Sequence, residues 1–203
     1  PFYQTPLEPI VEKLTYDHIC CDAGPDLYIC ATNVRSGKIR VFSGDEIGPE
    51  ALMASAGLPT LFRAGEMFDA DTNQTEAFWD GGYTGNPALF PFFGRDLPAD
   101  VVIITINPLE RDDLPVTPTQ IQNRINEISF NSSLLRELRA IDFVQRLIEQ
   151  GAVDDERMTR VRVHMIADDA LMNELSVATK LVPTPYTLAR LKEAGQRAAD
   201  VFI

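Results

Sequence analysis

The sequence predicts a layered α/β domain, because its apolar residues follow two different periods. Residues 101–106 form a nearly continuous β-branched run, which is typical of a central strand covered on both faces. Between 118 and 150 the apolar residues instead recur at helical spacing, which predicts one long amphipathic helix or two in succession. Residues 161–167 alternate and indicate one more strand, with one face wetter than the other.

The first part of the chain contributes shorter elements. A short helix is expected over 7–14, followed by strands over 26–34 and 38–42 that a hairpin turn joins at 35–37. Proline at a first helical position and a run of small residues predict a buried helix over 49–56.

A terminal helix is predicted from Thr184, whose hydroxyl can cap it and which Pro185 follows at the first turn. Its inward face is expected to carry Leu188, Leu191 and Ala198. No repeat, low-complexity segment or linker divides the sequence. We therefore predict a single domain over 1–203, with a helical extension from about 117.

Composition argues against several functional classes. The 203 residues carry 30 acidic and 18 basic side chains, and this net charge of −12 disfavours nucleic acid and anionic lipid headgroups as partners. No apolar run approaches the roughly 20 residues of a membrane-spanning helix, so no transmembrane segment is expected and the predicted location is cytoplasmic. Cys20, Cys21 and Cys30 fit neither a disulfide framework nor a metal site and are expected to be reduced thiols.

Asp80 is the candidate catalytic residue. It ends a predicted strand and precedes Gly81 and Gly82, whose missing side chains let another backbone or a substrate approach the carboxylate. Such a carboxylate can act as a general base toward a hydroxyl, because partial burial and backbone donors tune its pKa. An Asp-Gly pair is also a common structural turn, so the residues by themselves leave both interpretations open.

Other candidate groups favour structural interpretations. None of the seven serines lies in the G-x-S-x-G turn that exposes a nucleophile, and Ser55 is expected in close helix packing. His18 and His164 are interpreted as surface or core histidines. The acidic residues Asp69, Asp71, Glu76 and Asp80 lack the spacing of a calcium loop, so a solvated acidic loop is expected.

Three segments in order make the chain resemble bacterial patatin-like phospholipases. They are residues 31–42 (ATNVRSGKIRVF), 53–59 (MASAGLP) and 79–87 (WDGGYTGNP). The similarity continues through 126–131 and 134–138 and thus extends over nearly the whole chain. The resemblance implies a three-layer α/β/α sandwich and a lipid acyl hydrolase, either phospholipase or carboxylesterase.

In that family a serine attacks the acyl ester, an aspartate takes the serine proton, and a glycine-rich loop stabilises the oxyanion. The resemblance places Asp80 in the aspartate role, with Gly81 and Gly82 holding the loop geometry. The family's glycine-rich loop and nucleophile elbow normally precede these motifs, and Pro1 opens the chain without a first strand. We therefore expect the chain to be the C-terminal part of such a hydrolase, with the nucleophile on a preceding segment or another polypeptide.

The expected partners are an acyl-ester substrate and that nucleophile-bearing segment, and the dyad implies neither a metal nor an organic cofactor. Apolar residues at 89–93 fit either the core or an acyl-chain channel beside the dyad. A second hypothesis is a non-catalytic interaction or scaffold module that keeps the architecture without a nucleophile.

Overall fold

The computed structural model describes residues 5–19, 24–59, 61–94, 96–154, 158–175 and 184–203. Over these ranges the chain forms five α-helices and six strands in two sheets, which confirms the mixed α/β class. Two compact units divide the chain, Pro1–Pro91 and Phe92–Ile203. The three-layer arrangement and the single domain stay predictions, and Cys20 and Cys21 lie outside the described residues.

The first unit is built around an antiparallel sheet with strand order β2-β1-β4-β3. Its elements, in chain order, are α1 (Glu8–Val11), β1 (Tyr28–Asn33), β2 (Ile39–Ser43), α2 (Pro49–Ser55), β3 (Gly65–Asp69) and β4 (Gln74–Asp80). The predicted hairpin is confirmed, because β1 and β2 pair antiparallel from Tyr28↔Ser43 to Thr32↔Ile39. The predicted first helix is confirmed but shorter than expected.

The turn of this hairpin is set by two residues. Asn33 Oδ1 accepts hydrogen bonds from the N–H groups of Arg35 and Ser36, at 3.0 and 2.8 Å. Gly37 then takes a positive φ of 65°, a conformation that glycine adopts without a steric penalty. The Asn33 side chain and the positive φ of Gly37 thus reverse the chain direction, and the chain continues as β2.

The core of the first unit lies between this sheet and α2. Phe42 and Phe78 are buried and meet edge to face, with ring centroids 5.6 Å apart. Ala51 and Ala54 of α2 are also buried in this cluster, which confirms the predicted small-residue helix. Short side chains let α2 approach the sheet closely, so its C-terminal end reaches the end of β4.

The second unit contains a parallel strand pair joined through a long helix. Its elements are β5 (Asp100–Ile104), α3 (Pro118–Glu149), β6 (Arg162–Ile166), α4 (Asp169–Glu174) and α5 (Pro185–Phe202). β5 and β6 run in parallel register from Asp100↔Arg162 to Ile104↔Ile166. The predicted long helix is one continuous element of 32 residues, capped by Thr117 and Gln120 in a capping box.

Two sequence expectations for this unit are wrong, and a third holds in part. β5 is not covered on both faces within the described residues: Ile103 is buried, whereas Ile104 is 71% exposed and β5 pairs only with β6. The predicted amphipathic pattern of α3 holds in part: Leu134 and Ile141 are buried, whereas Ile125 and Ile128 are exposed. In α5 the predicted inward Leu188 is 55% exposed.

The buried side of α3 is partly polar because hydrogen-bonding groups of the preceding loop lie opposite it. Glu127 is buried and accepts hydrogen bonds from Arg111 at 2.8 and 2.6 Å. Asn131 is also buried and donates from Nδ2 to the carbonyl of Pro108 at 2.8 Å. Satisfied polar groups can be buried without a large penalty, so these contacts select the inward face.

Candidate active site

Asp80 is the last residue of β4, and Gly81–Tyr83 form one turn of 3₁₀ helix directly after it. The predicted position of Asp80, at a strand end entering a glycine loop, is therefore confirmed. β4 lies beside β1, with Asp80 opposite Ala31. A central strand pair of the sheet thus carries the candidate base.

The main chain of Asp80 is anchored on two sides. Its N–H donates to the carbonyl of Gly57, two residues after the end of α2, at 2.9 Å. Its own carbonyl accepts a hydrogen bond from Thr32 Oγ1 of β1 at 2.8 Å. Hydrogen bonds to β1 and to the segment after α2 therefore fix the backbone position of Asp80.

The two carboxylate oxygens of Asp80 differ in their surroundings. Oδ1 accepts the Gly82 N–H at 2.7 Å and so caps the glycine turn. Within the described ranges, Oδ2 has no hydrogen-bond partner and no cation forms an ion pair with Asp80. No fully buried side-chain oxygen in the described residues lacks a partner, so Oδ2 reaches the surface.

The partial burial of the site changes its acid–base properties. Burial raises the pKa of Asp80 above its ordinary value, and the hydrogen bond from Gly82 opposes part of this rise. Burial also raises the pKa of the neighbouring Tyr83, and the Asp80 charge raises it further. The carboxylate is thus a stronger base than a solvated aspartate and keeps one oxygen open to accept a proton.

Gly81 lets the loop pack directly on the backbone of β1. A Cβ added to Gly81 would lie 2.2 Å from the carbonyl oxygen of Cys30, which no side chain can tolerate. Gly82 is also buried and contributes its N–H to Asp80. The geometry agrees with the loop-holding role expected for both glycines, and that role stays a prediction.

A pair of threonine hydroxyls beside Asp80 was not anticipated. Thr32 Oγ1 and Thr84 Oγ1 lie 2.9 Å apart, although the residues are 52 positions apart in the chain. Both residues belong to segments that carry the family resemblance, 31–42 and 79–87. Their presence in those segments is the only signal that could have identified them, since their contact is not local.

The serine and histidine candidates lie in three different surroundings. Ser55 lies at the end of α2, His18 is exposed, and His164 bonds through Nε2 to Asp100 Oδ1 at 2.9 Å. The serine and histidine interpretations are therefore consistent with the structure. Leu89 is buried and Phe90 is 50% exposed, so the apolar segment at 89–93 is not uniformly core.

The solvated acidic loop is confirmed at Asp71, whose side chain is 70% exposed, but is wrong for Asp69 and Glu76. Asp69 is 3% exposed and accepts a hydrogen bond from Arg40 Nε at 2.8 Å. Glu76 is buried too and accepts from Asn33 Nδ2 at 3.2 Å. These carboxylates bind side-chain donors of β1 and β2, and no cluster suited to a metal ion occurs in the described part of the chain.

Comparison with protein families and with curated proteins identified no match to this chain. Among the described helices, none combines the length and apolar composition that crossing a bilayer requires.

Proposed function

We propose that this chain supplies the general base of a serine–aspartate lipid acyl hydrolase, with Asp80 as the base and the serine outside the 203 residues. One observation carries the proposal: the Asp80 carboxylate is partly buried, is oriented through Oδ1 by Gly82, and keeps Oδ2 without a hydrogen bond or an ion pair to any of the described residues. A carboxylate that served only as a turn cap would not require this combination.

The chemistry follows from this geometry. A serine hydroxyl is a weak nucleophile until a base within hydrogen-bond reach takes its proton. Oδ2 of Asp80 would accept that proton while the serine oxygen bonds to the ester carbonyl carbon. When the bond to the alcohol breaks, Asp80 returns the proton to the leaving oxygen. Asp80 next takes a proton from water as the water oxygen attacks the carbonyl carbon of the acyl-serine. It returns this proton to the serine oxygen, so that the fatty acid leaves and the serine hydroxyl is restored.

No cation of the described residues forms an ion pair with Asp80, which supports the role of base rather than of structural anion. Desolvation raises the pKa of Asp80, so the carboxylate takes a proton more readily than in water. The oxyanion of the tetrahedral intermediate needs separate, preorganised donors. We assign those donors to the nucleophile-bearing segment, within the three-layer α/β/α fold that the resemblance implies.

The second candidate is a non-catalytic interaction or scaffold module. It is favoured by one observation: no serine, threonine or cysteine side chain of the described residues donates to the Asp80 carboxylate. The two candidates differ in whether the natural protein hydrolyses esters at all.

The decisive experiment compares ester hydrolysis by the full natural protein and by its Asp80→Asn variant, with a short-chain acyl ester as substrate. Asparagine keeps the shape and an oxygen for Gly82 but cannot take a proton. We expect kcat to fall by about 10²–10⁴-fold, the usual contribution of a general base. The matched control is Asp26→Asn, at an exposed aspartate of the same unit, which should retain full activity.

Unchanged turnover in Asp80→Asn eliminates Asp80 as the base. A full natural protein that hydrolyses no ester above background supports the scaffold module instead.

A further inference from the structure

We propose that Thr32 and Thr84 are positioning residues. Their two hydroxyl groups form a hydrogen-bonded relay that holds Asp80 in place while its carboxylate takes the serine proton. This inference rests on the proposed function of Asp80. The relay runs from the end of the glycine turn, through β1, to the main chain of the base.

The direction of the relay follows from counting protons. Thr32 Oγ1 lies 2.8 Å from the Asp80 carbonyl oxygen, which can only accept a hydrogen bond. The single hydroxyl proton of Thr32 is therefore used there. The 2.9 Å contact between the two hydroxyls then requires Thr84 to donate to Thr32.

The relay closes a ring around the glycine turn. Thr84 directly follows the turn and donates its own N–H to the carbonyl of Gly81 at 3.0 Å. Its side chain ties the end of the turn to β1, while Thr32 ties β1 to Asp80 at the start of the turn. With both ends of the turn held, the Gly82 N–H stays at 2.7 Å from Asp80 Oδ1. This hydrogen bond fixes the orientation of the carboxylate and therefore the direction in which Oδ2 points.

The same geometry excludes Thr32 as an alternative nucleophile. A nucleophilic hydroxyl must give its proton to a base, and the bond of Thr32 is to a main-chain carbonyl oxygen rather than to the carboxylate. Thr32 also lies only 7% exposed, so its hydroxyl is poorly placed to reach an ester. Its contribution is to position Asp80.

The test uses Thr32→Val and Thr84→Val, with Thr32→Ser and Thr84→Ser as conservative variants. The matched control is Thr75→Val, at an exposed threonine of β4. Two readouts are needed. One is kcat and KM for ester hydrolysis by the full natural protein, and the other is the pKa of Asp80 in the 203-residue chain, measured by ¹³C NMR of its carboxyl carbon. The Asp80 signal is identified by its absence in Asp80→Asn.

In Thr32→Val we expect kcat to fall about 10- to 100-fold with little change in KM, as for a displaced catalytic group. The pKa of Asp80 should rise further, because a loosened turn weakens the Gly82 hydrogen bond that lowers it. Thr84→Val should act in the same direction but less, since Thr32 keeps its bond to Asp80. Both serine variants and Thr75→Val should behave like the wild type.

The relay is refuted if Thr32→Val and Thr84→Val lose only stability, with kcat and the pKa of Asp80 unchanged. If Thr32→Val does not fold, the Thr84→Val and Thr84→Ser pair decides. If the wild-type protein hydrolyses no ester, the proposed function fails, but the NMR titration still tests the relay. An unchanged pKa of Asp80 in the folded valine variants would then overturn it.

Discussion

At the residue scale, the site depends on a close approach between two backbones. Gly81, the residue after Asp80, packs against β1 at the position of Cys30. Thr32, two residues further along β1, holds the Asp80 carbonyl at the same crossing. The candidate base is thus positioned through its own main chain, by the packing of Gly81 on β1 and by the buried Thr32 hydroxyl.

Gly81→Ala should destabilise the protein strongly. The added Cβ would lie 2.2 Å from the carbonyl oxygen and 2.6 Å from the carbonyl carbon of Cys30, and backbone atoms of a paired strand cannot move aside cheaply. We expect the free energy of unfolding to fall by about 1–3 kcal/mol or more, as measured by chemical denaturation. In the control Gly94→Ala the new Cβ meets only side-chain carbons of Leu97, at 3.7 and 3.9 Å, so the change should stay within about 0.5 kcal/mol. Equal effects of the two substitutions would contradict the close packing of the loop.

Asp80→Asn should make the fold more stable at neutral pH. Burial raises the pKa of Asp80 above its unfolded value, so its stabilising contribution is full in acid and is lost as the pH rises through the folded pKa. Asparagine removes the desolvated charge but keeps an oxygen for the Gly82 N–H. Urea denaturation should therefore show the variant to be more stable at pH 7, with the difference disappearing below about pH 4. A variant less stable than wild type at pH 7 would indicate that Asp80 is a structural cap.

At the element scale, Arg40 of β2 joins several parts of the first unit. Its guanidinium donates to Asp69 at the end of β3 at 2.8 Å, pairs with Glu46, and lies 4.8 Å from the ring centre of Phe42. Burial raises the pKa of Asp69, but hydrogen bonds from Arg40 and Thr72 more than offset this and hold the pKa below its ordinary value. The pair therefore stabilises the sheet above the ordinary Asp pKa, and this contribution is lost as the pH falls through the lowered one.

Arg40→Ala should reduce the free energy of unfolding by about 3–5 kcal/mol at pH 7, because it leaves the Asp69 charge buried without its partner. The effect should shrink in acid, where Asp69 becomes protonated. Arg35→Ala is the matched control: Arg35 is mostly exposed and lies 3.8 Å from Glu76, so its loss should change stability by less than about 1 kcal/mol. Thermal or urea unfolding measures the stability of both variants. A small effect of Arg40→Ala would refute the role of Arg40 in joining β2 to the end of β3.

The elements also show which features the sequence could predict. The hairpin, the small-residue helix and the Thr184-capped start of α5 depend on neighbouring residues, and all three are confirmed. The inward face of α3 was not predictable from its period, because the buried Glu127 is selected by Arg111, a partner 16 residues earlier in a loop. Periodicity aligns residues on a face, but the partner decides which face is buried.

At the scale of the whole molecule, the α/β class was predictable because long helical and β-branched segments alternate along the chain. Whether both faces of β5 are buried was not predictable from its residues. It depends on which elements lie beside the β5–β6 pair. The candidate site divides in the same way. Asp80 and its glycines form a local motif, whereas the Thr32–Thr84 contact joins positions 52 residues apart.

The pH dependence of kcat/KM for ester hydrolysis by the full natural protein tests the central claim most directly. If Asp80 is the base, the rate should rise with pH along a limb whose apparent pKa lies above that of an ordinary aspartate. That apparent pKa should match the pKa of Asp80 measured by NMR, and the limb should be absent from the residual activity of Asp80→Asn. An acid limb that persists unchanged in Asp80→Asn would contradict the assignment of Asp80 as the general base.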